Sequence, residues 1–377
     1  MDKKFAPLFE KVTLPNKVEL RNRFVLAPLT HVSSNDDGTI SDVEIDYVEQ
    51  RSKDVGLAIS AASYVTDLGK AFPGQPSVAH DSDIDGLKRL AEAMKKNGAK
   101  AIVQIHHGGA QSLPRLTPNG DAAAPSPITL QSFDEKEEHH AREMTNEEIE
   151  QTITAFGEAA RRVIEAGFDG VEIHGANHYL IQQFVSPYYN RREDEWGENR
   201  LNFPMRVVDE VVDTVKTYAD EKFIVGYRFS PEEAETPGIR METTEELVKH
   251  LIEKPLDYLH VSLMDVNAET REGKYQGEGR VKLLHQWIDG RMPLVVIGSI
   301  FTAEQALEAV ESKNVELLAL GREILLDHHF INKIKNGKEN DIVSKFDPNS
   351  EEKHDLPPNL WNQFNEGFYP LPRTDGK

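Results

Sequence analysis

Eight short apolar runs, each followed by a longer amphipathic stretch, recur along the 377 residues and leave this chain few folds to choose from. The runs are Arg23–Ala27, Leu57–Ala61, Ala101–Ile105, Gly170–His174, Phe223–Arg228, Tyr258–Val261, Pro293–Ile297 and Leu317–Leu320. Their apolar character is continuous rather than alternating, as in strands buried on both faces. Between them the 3.6-residue period predicts helices near Ser41–Lys53, Ile84–Lys96, Thr145–Ala166, Leu201–Tyr218, Thr243–Glu253, Val281–Ile288 and Ala303–Glu311. Thr302 reads as the N-cap of the last, and Thr145 with Glu148 as a capping box. The pattern predicts an α/β fold of the closed (β/α)8 type, a TIM barrel. The competing open, doubly wound sheet needs a glycine-rich dinucleotide turn after its first strand. Here Ala27 is followed by Pro28-Leu29-Thr30-His31.

Two segments exceed a plain barrel. Gly108 to Met144 carries Pro114, Pro118, Pro125 and Pro127, then the run Asp134-Glu135-Lys136-Glu137-Glu138-His139-His140. A connection this long is expected to be a lid-like insertion after strand three, with His139 and His140 solvated. The tail, residues 346–377, is rich in Pro, Asn and aromatics (Trp361, Phe364, Phe368, Tyr369). It is expected to be an extended arm packed on the barrel of residues 1–345 or on a partner subunit, the latter making a homo-oligomer.

Composition removes several classes of function. The net charge of −21 disfavours nucleic acid and anionic membranes as partners, since both call for basic surface. Without cysteine there are no disulfides, no thiolate zinc site and no cysteine-ligated iron–sulfur cluster. The start, Met1-Asp2-Lys3-Lys4-Phe5-Ala6-Pro7, has no signal-peptide apolar run, and no window has the apolar length of a membrane span. The expected location is cytoplasmic.

Chemistry is expected where barrel strands end. After the fourth run, Gly170-Val171-Glu172-Ile173-His174-Gly175-Ala176-Asn177-His178-Tyr179-Leu180 delivers two hydrogen-bond donors, His174 and Asn177, and a weak acid, Tyr179. After the seventh and eighth come Ile297-Gly298-Ser299-Ile300 and Leu320-Gly321-Arg322, where such barrels hold phosphate on backbone N–H groups. Glycine permits close approach, Ser299 adds a hydroxyl, and Arg322 can pair bidentately with phosphate. Thr30, Gln104 and Arg228 add polar groups at other strand ends. Together they describe a ligand with a phosphate tail and a polar ring, and an arginine beside a ring that becomes anionic on reduction suits a flavin. A metal site is disfavoured, because adjacent His106 and His107 point to opposite faces of a strand.

These residues resemble the Old Yellow Enzyme family of flavin-dependent oxidoreductases over most of the chain. Matching segments are Asn22-Arg23-Phe24-Val25-Leu26-Ala27-Pro28-Leu29-Thr30, Gln104-Ile105-His106-His107-Gly108-Gly109, Ala124-Pro125-Ser126-Pro127, and the stretch from Ala166 through His174-Gly175-Ala176-Asn177 and Tyr179-Leu180-Ile181-Gln182-Gln183-Phe184 to Asn190-Arg191-Arg192. The resemblance implies a bound FMN, with NADH or NADPH as a transient reductant. Pro28, Leu29, Thr30 and Ala62 would flank its ring, Gln104 would meet the pyrimidine edge and Arg228 the N1 side. Gly298, Ser299, Gly321 and Arg322 would hold the phosphate. His174 and Asn177 would bind the carbonyl of an electron-poor alkene, with Tyr179 supplying the proton. The implied reaction is ping-pong reduction of an α,β-unsaturated carbonyl compound, a quinone or a nitro acceptor. Three features depart from the pattern: His178 where many members have glycine, Ala110 in place of an arginine, and the shortened stretch Glu195–Arg200. Other readings are a flavin-binding redox sensor without turnover and a metal-dependent barrel hydrolase. A dienoyl-thioester reductase relative is a third, disfavoured by the missing cysteines and the chain length.

Overall fold

In the computed structural model, which describes residues 1–132, 137–312, 315–367 and 370–376, all eight expected strands form and close on themselves. Counting barrel strands only, they are β1 (Phe24–Leu26), β2 (Leu57–Ile59), β3 (Lys100–His106), β4 (Gly170–Gly175), β5 (Ile224–Phe229), β6 (Tyr258–Val261), β7 (Leu294–Ile297) and β8 (Leu317–Leu320). Each pairs in parallel with its sequence neighbour, and β8 pairs with β1 to complete the ring. Side chains alternate across every strand. One set (Val25, Leu57, Ile59, Ile102, Ile224, Val295 and Leu317 among them) fills the barrel's interior, and the other packs outward under the helices. Both faces are dry, which explains the unbroken apolar runs.

The helices are α1 (Asp42–Ser52), α2 (Ile84–Lys95), α3 (Asn146–Glu165), α4 (Asn202–Tyr218), α5 (Met241–Leu251), α6 (Arg280–Ile288) and α7 (Ala303–Ser312). Each matches an expected helix to within two residues. The capping box forms: Thr145 Oγ1 accepts from Glu148 N, and Glu148 Oε2 accepts from Thr145 N at 2.8 Å. Thr302 Oγ1 likewise accepts from Gln305 N at 3.2 Å.

Short elements escaped the pattern because strands of two to six residues outside the buried runs show no clear period. Strands Val12–Thr13 and Glu19–Leu20 form a hairpin whose Leu14, Val18 and Leu20 close the N-terminal end of the interior. The insertion carries a three-stranded sheet of Ala123–Ala124, Ile128–Gln131 and Glu138–Glu143. His139 corrects the solvated expectation: it is buried, with Nε2 2.8 Å from the Ala110 carbonyl, whereas His140 is exposed. Asp134, Glu135 and Lys136 lie outside the described residues, as do Phe368 and Tyr369.

The tail is not extended throughout, since Pro358–Asn365 is helical. Phe346 and Phe364 are buried, and Arg51 Nη2 donates to the carbonyls of His354 and Asp355. The stretch at Glu195–Arg200 is a helical turn capped by Asp194 and anchored by buried Trp196. It leads directly into α4.

Candidate active site

All thirteen residues singled out from the sequence line one cavity of about 580 Å³ at the C-terminal mouth of the barrel. Pro28, Leu29 and Thr30 follow β1, and Ala62 follows β2. Gln104 points in from β3, and His174 ends β4 with Asn177 and Tyr179 in the turn beyond. Arg228 is on β5, Gly298 and Ser299 follow β7, and Gly321 and Arg322 follow β8. Gln111 and Gln131 reach the mouth from the insertion, and Pro370 from the tail.

Hydrogen bonds on the far side of each polar group fix what it offers the cavity. The Ala176 N–H donates to His174 Nδ1 at 3.3 Å, so the neutral ring carries its proton on Nε2. Burial, reinforced by His106, Arg228 and His260, holds this histidine well below its ordinary 6.5, so it is neutral. Ser262 Oγ donates to Asn177 Oδ1 at 2.8 Å while accepting from Arg228 Nη2 at 3.2 Å. That leaves the Asn177 amide N–H groups for a ligand. His174 and Asn177 therefore both offer donors to the same cavity, as an oxygen that gains charge requires.

Gln104 is fixed in the opposite sense. Its Nε2 donates at 2.7 Å to Glu172, a carboxylate that can only accept, so its Oε1 is left as an acceptor. Glu172 is fully buried and also 2.9 Å from His260 Nδ1. Burial alone would raise its carboxyl, but His260, Arg228 and Gln104 outweigh that and hold it below the usual range. Glu172 and His260 were missed as site residues. Their signal was a charged and an imidazole side chain inside otherwise apolar strands.

The two glycine turns meet through side chains. Arg322 Nη2 donates to Ser299 Oγ at 2.7 Å, and Arg322 Nη1 to the Pro370 carbonyl at 3.0 Å. A Cβ on Gly298 would fall 2.6 Å from Val266 N, so no other residue fits that turn undisturbed. Ser299 is itself in the left-handed region, with φ 52°. Glu323, also missed, lines the cavity here, and burial pushes its carboxyl up to about 8. It is neutral at pH 7 and does not cancel the Arg322 charge.

His31 and His107 are structural. His31 is buried against Glu44 at 3.1 Å, and His107 Nδ1 accepts from Gly109 N at 3.0 Å. Among the described residues no three His, Asp or Glu side chains converge as a metal site, and no helix is long and apolar enough to cross a membrane.

Residues 7–341 match the NADH:flavin oxidoreductase / NADH oxidase family. The chain is 50% identical over 364 residues to a probable NADH-dependent flavin oxidoreductase, YqiG, of Bacillus subtilis, covering 96% of each protein. It is 38% identical to the NADH:fumarate oxidoreductase of Klebsiella pneumoniae, where it spans 94% of itself but 38% of that longer protein. Among solved structures, morphinone reductase in complex with tetrahydroNAD superposes with a TM-score of 0.73 at 25% identity, over 88% of this chain and 91% of that one. The Old Yellow Enzyme homologue from Zymomonas mobilis shares the fold, with a TM-score of 0.78 at 22% identity over 95% and 99% of the two chains.

FMN presents a phosphate, ring carbonyls and a ring N–H, and the cavity answers each. Gln104 Oε1, its amide turned by Glu172, would be an acceptor suited to the N–H. Buried Arg228 keeps an Nε with no partner among the described residues. The Gly298 and Gly321 turns form a close backbone cradle with a guanidinium beside it. The chain belongs to the NADH:flavin oxidoreductase / NADH oxidase family, the Old Yellow Enzymes, and is a flavin oxidoreductase that binds FMN and is reduced by a nicotinamide cofactor.

Proposed function

We propose that this enzyme reduces the activated C=C bond of α,β-unsaturated carbonyl compounds, with quinones and nitro compounds as further acceptors. The observation that carries this reading is the convergence of the His174 Nε2–H, the Asn177 amide and the Tyr179 phenol on one cavity. Bound FMN supplies hydride transfer from the nicotinamide to the second substrate. His174 and Asn177 hold the acceptor carbonyl and stabilise the charge it gains, and Tyr179 gives its proton to the α-carbon. Arg228 would supply positive charge to the ring, Gln104 would accept from its N–H, and Pro28, Leu29, Thr30 and Ala62 would line its edges. Gly298, Ser299, Gly321 and Arg322 hold the phosphate. A single cavity serving two substrates in turn gives ping-pong kinetics.

NADH is the proposed physiological donor. The fumarate oxidoreductase and the NADH:acrylate oxidoreductase of Vibrio harveyi name different acceptors but the same donor, and this chain matches just over a third of each. Anaerobic reductive titration with NADH and NADPH, followed by a panel of enones, quinones and nitro compounds, tests the proposal. Failure of both nicotinamides to bleach the flavin, or of every enone to reoxidise it, would reject it.

Two substitutions test the cofactor contacts. Arg322→Ala is expected to weaken FMN retention by about 1.5–3 kcal/mol, the range for a hydrogen bond to a charged group, read as a rise in the FMN dissociation constant. Thr30→Ala is expected to lower the flavin midpoint potential, because a hydroxyl donor favours the electron-rich reduced ring. Reduction by NADH should slow and hydride loss to the acceptor should quicken. An unchanged potential in a spectroelectrochemical titration removes Thr30 from the flavin's surroundings.

A further inference from the structure

His106 is a buried imidazole beside the proposed acid, and the reaction assigned to His174, Asn177 and Tyr179 leaves it unused. It ends β3, is fully buried, and its ring meets that of Tyr179 edge to face with centroids 4.2 Å apart. The His174 ring lies 5.4 Å away on its other neighbour strand, β4. The three rings form one cluster, of which Tyr179 and His174 line the cavity.

Hydrogen bonds set the His106 tautomer. Gln75 Oε1 accepts from the Ala71 N–H at 2.7 Å, which fixes the orientation of that amide. The Gln75 Nε2 group then donates to the Ala62 carbonyl and to His106 Nδ1, both at 3.0 Å. Because Nδ1 accepts, the proton of the neutral ring is on Nε2. Nε2 is buried and has no partner among the described residues. A buried, unpartnered N–H costs stability unless something at the site uses it.

We infer that His106 is a positioning residue for the Tyr179 acid: its Nε2–H, aimed by Gln75, supports the phenolate that Tyr179 becomes when it gives up its proton. This rests on Tyr179 being the acid. In the step, the Tyr179 O–H bond breaks, its proton goes to the α-carbon and the electron pair stays on the phenol oxygen. Solvent returns a proton afterwards, and His106 keeps its own throughout. The donor acts on the product side of the proton transfer, so it makes Tyr179 a stronger acid without touching the substrate. Among the described residues, those around Tyr179 include His174 on β4, Arg228 on β5, whose positive charge interacts with the phenol, and Asn177 and His178 in its own turn. His106 and His174 are both held neutral by burial, so Arg228 is the one permanent charge among them.

Three variants of the FMN-loaded enzyme separate this role from packing. The amide nitrogen of Gln in His106→Gln reaches about as far as Nε2, that of Asn in His106→Asn only as far as Nδ1, and His106→Phe keeps the ring alone. With 2-cyclohexenone as probe, the Asn and Phe variants should slow flavin reoxidation about tenfold, the loss of one hydrogen bond to a charged group, while the Gln variant recovers most of it. With 1,4-benzoquinone, whose oxygens take protons from solvent, all three should match the parent. In enzyme carrying tyrosine labelled with 13C at Cζ, the Tyr179 resonance, identified by its loss in Tyr179→Phe, should titrate about one pH unit higher in the Asn variant than in parent or Gln variant. Equal behaviour of the Asn and Gln variants in rate and titration overturns the inference and leaves His106 as packing. If Tyr179→Phe itself retains cyclohexenone reduction, the acid assignment fails instead, whatever the His106 variants do.

Discussion

Tyr179→Phe is expected to lower alkene reduction by about 10²–10⁴-fold, the contribution of a positioned general acid, while leaving flavin reduction by NADH near its parent rate. The two half-reactions differ in what they ask of the protein. Hydride delivery from the nicotinamide needs no proton from Tyr179, whereas the carbanion that forms on the α-carbon of an enone has no other acid placed for it. The substitution removes one oxygen and keeps the ring, so the edge-to-face contacts with His106 and His174 survive. Quinone reduction should change least, because its product oxygens are protonated by solvent. Stopped-flow measurement of each half-reaction decides the matter. Equal slowing of flavin reduction and enone reduction would make Tyr179 a packing or binding residue and remove the proposed mechanism.

The places of these residues were legible in the sequence where a physical rule ties sequence to position, and not where none does. The strand ends were legible because two-sided burial makes β1 to β8 unbroken apolar runs, and a parallel barrel must gather their C-terminal ends at one mouth. Thr30, Gln104, Arg228 and the Gly298 and Gly321 turns, up to 291 residues apart in the chain (321 − 30), therefore had to be neighbours if the barrel was right. What the sequence withheld was orientation. That Gln104 offers oxygen and Asn177 offers N–H follows only from Glu172 and Ser262 behind them, partners on other strands with no fixed spacing. His139 was misread for a similar reason: charged neighbours in sequence suggested solvent, but the three-stranded insert turns alternate residues inward, and it was His139 that faced Ala110.

His174→Ala should cost about 2.7–4 kcal/mol in the alkene-reduction step, the usual loss when one donor to a developing oxyanion is removed. The same substitution should weaken binding of phenols, which present a charge-bearing oxygen like that of an enolate, and the two losses should run in parallel across a series of phenols and enones. Asn177→Ala should resemble it, and the double variant should lose less than the sum, because both donors serve one oxygen. His174 acts as a neutral donor, since burial first, and then His106, Arg228 and His260, depress its affinity for a proton. Alkene reduction should therefore show no acidic limb near pH 6.5, where an ordinary histidine would titrate. Stability behaves differently over the same interval. In the unfolded chain these histidines take up protons as the pH falls through 6.5, while folded His106 and His174 refuse them, and folded His107 does so until about 4. For these three groups the unfolded state binds more protons, so their contribution to stability is fully present above 6.5 and is lost on acidification below it, outweighing there the raised Glu323 carboxyl, which acts in the opposite sense. Denaturant midpoints from pH 6.5 to 5 should fall while the alkene half-reaction, measured where the protein stays folded, holds level. A histidine-like limb near pH 6.5 that vanishes in His174→Ala would mean that the ring works as a cation, and the neutral-donor assignment would have to be abandoned.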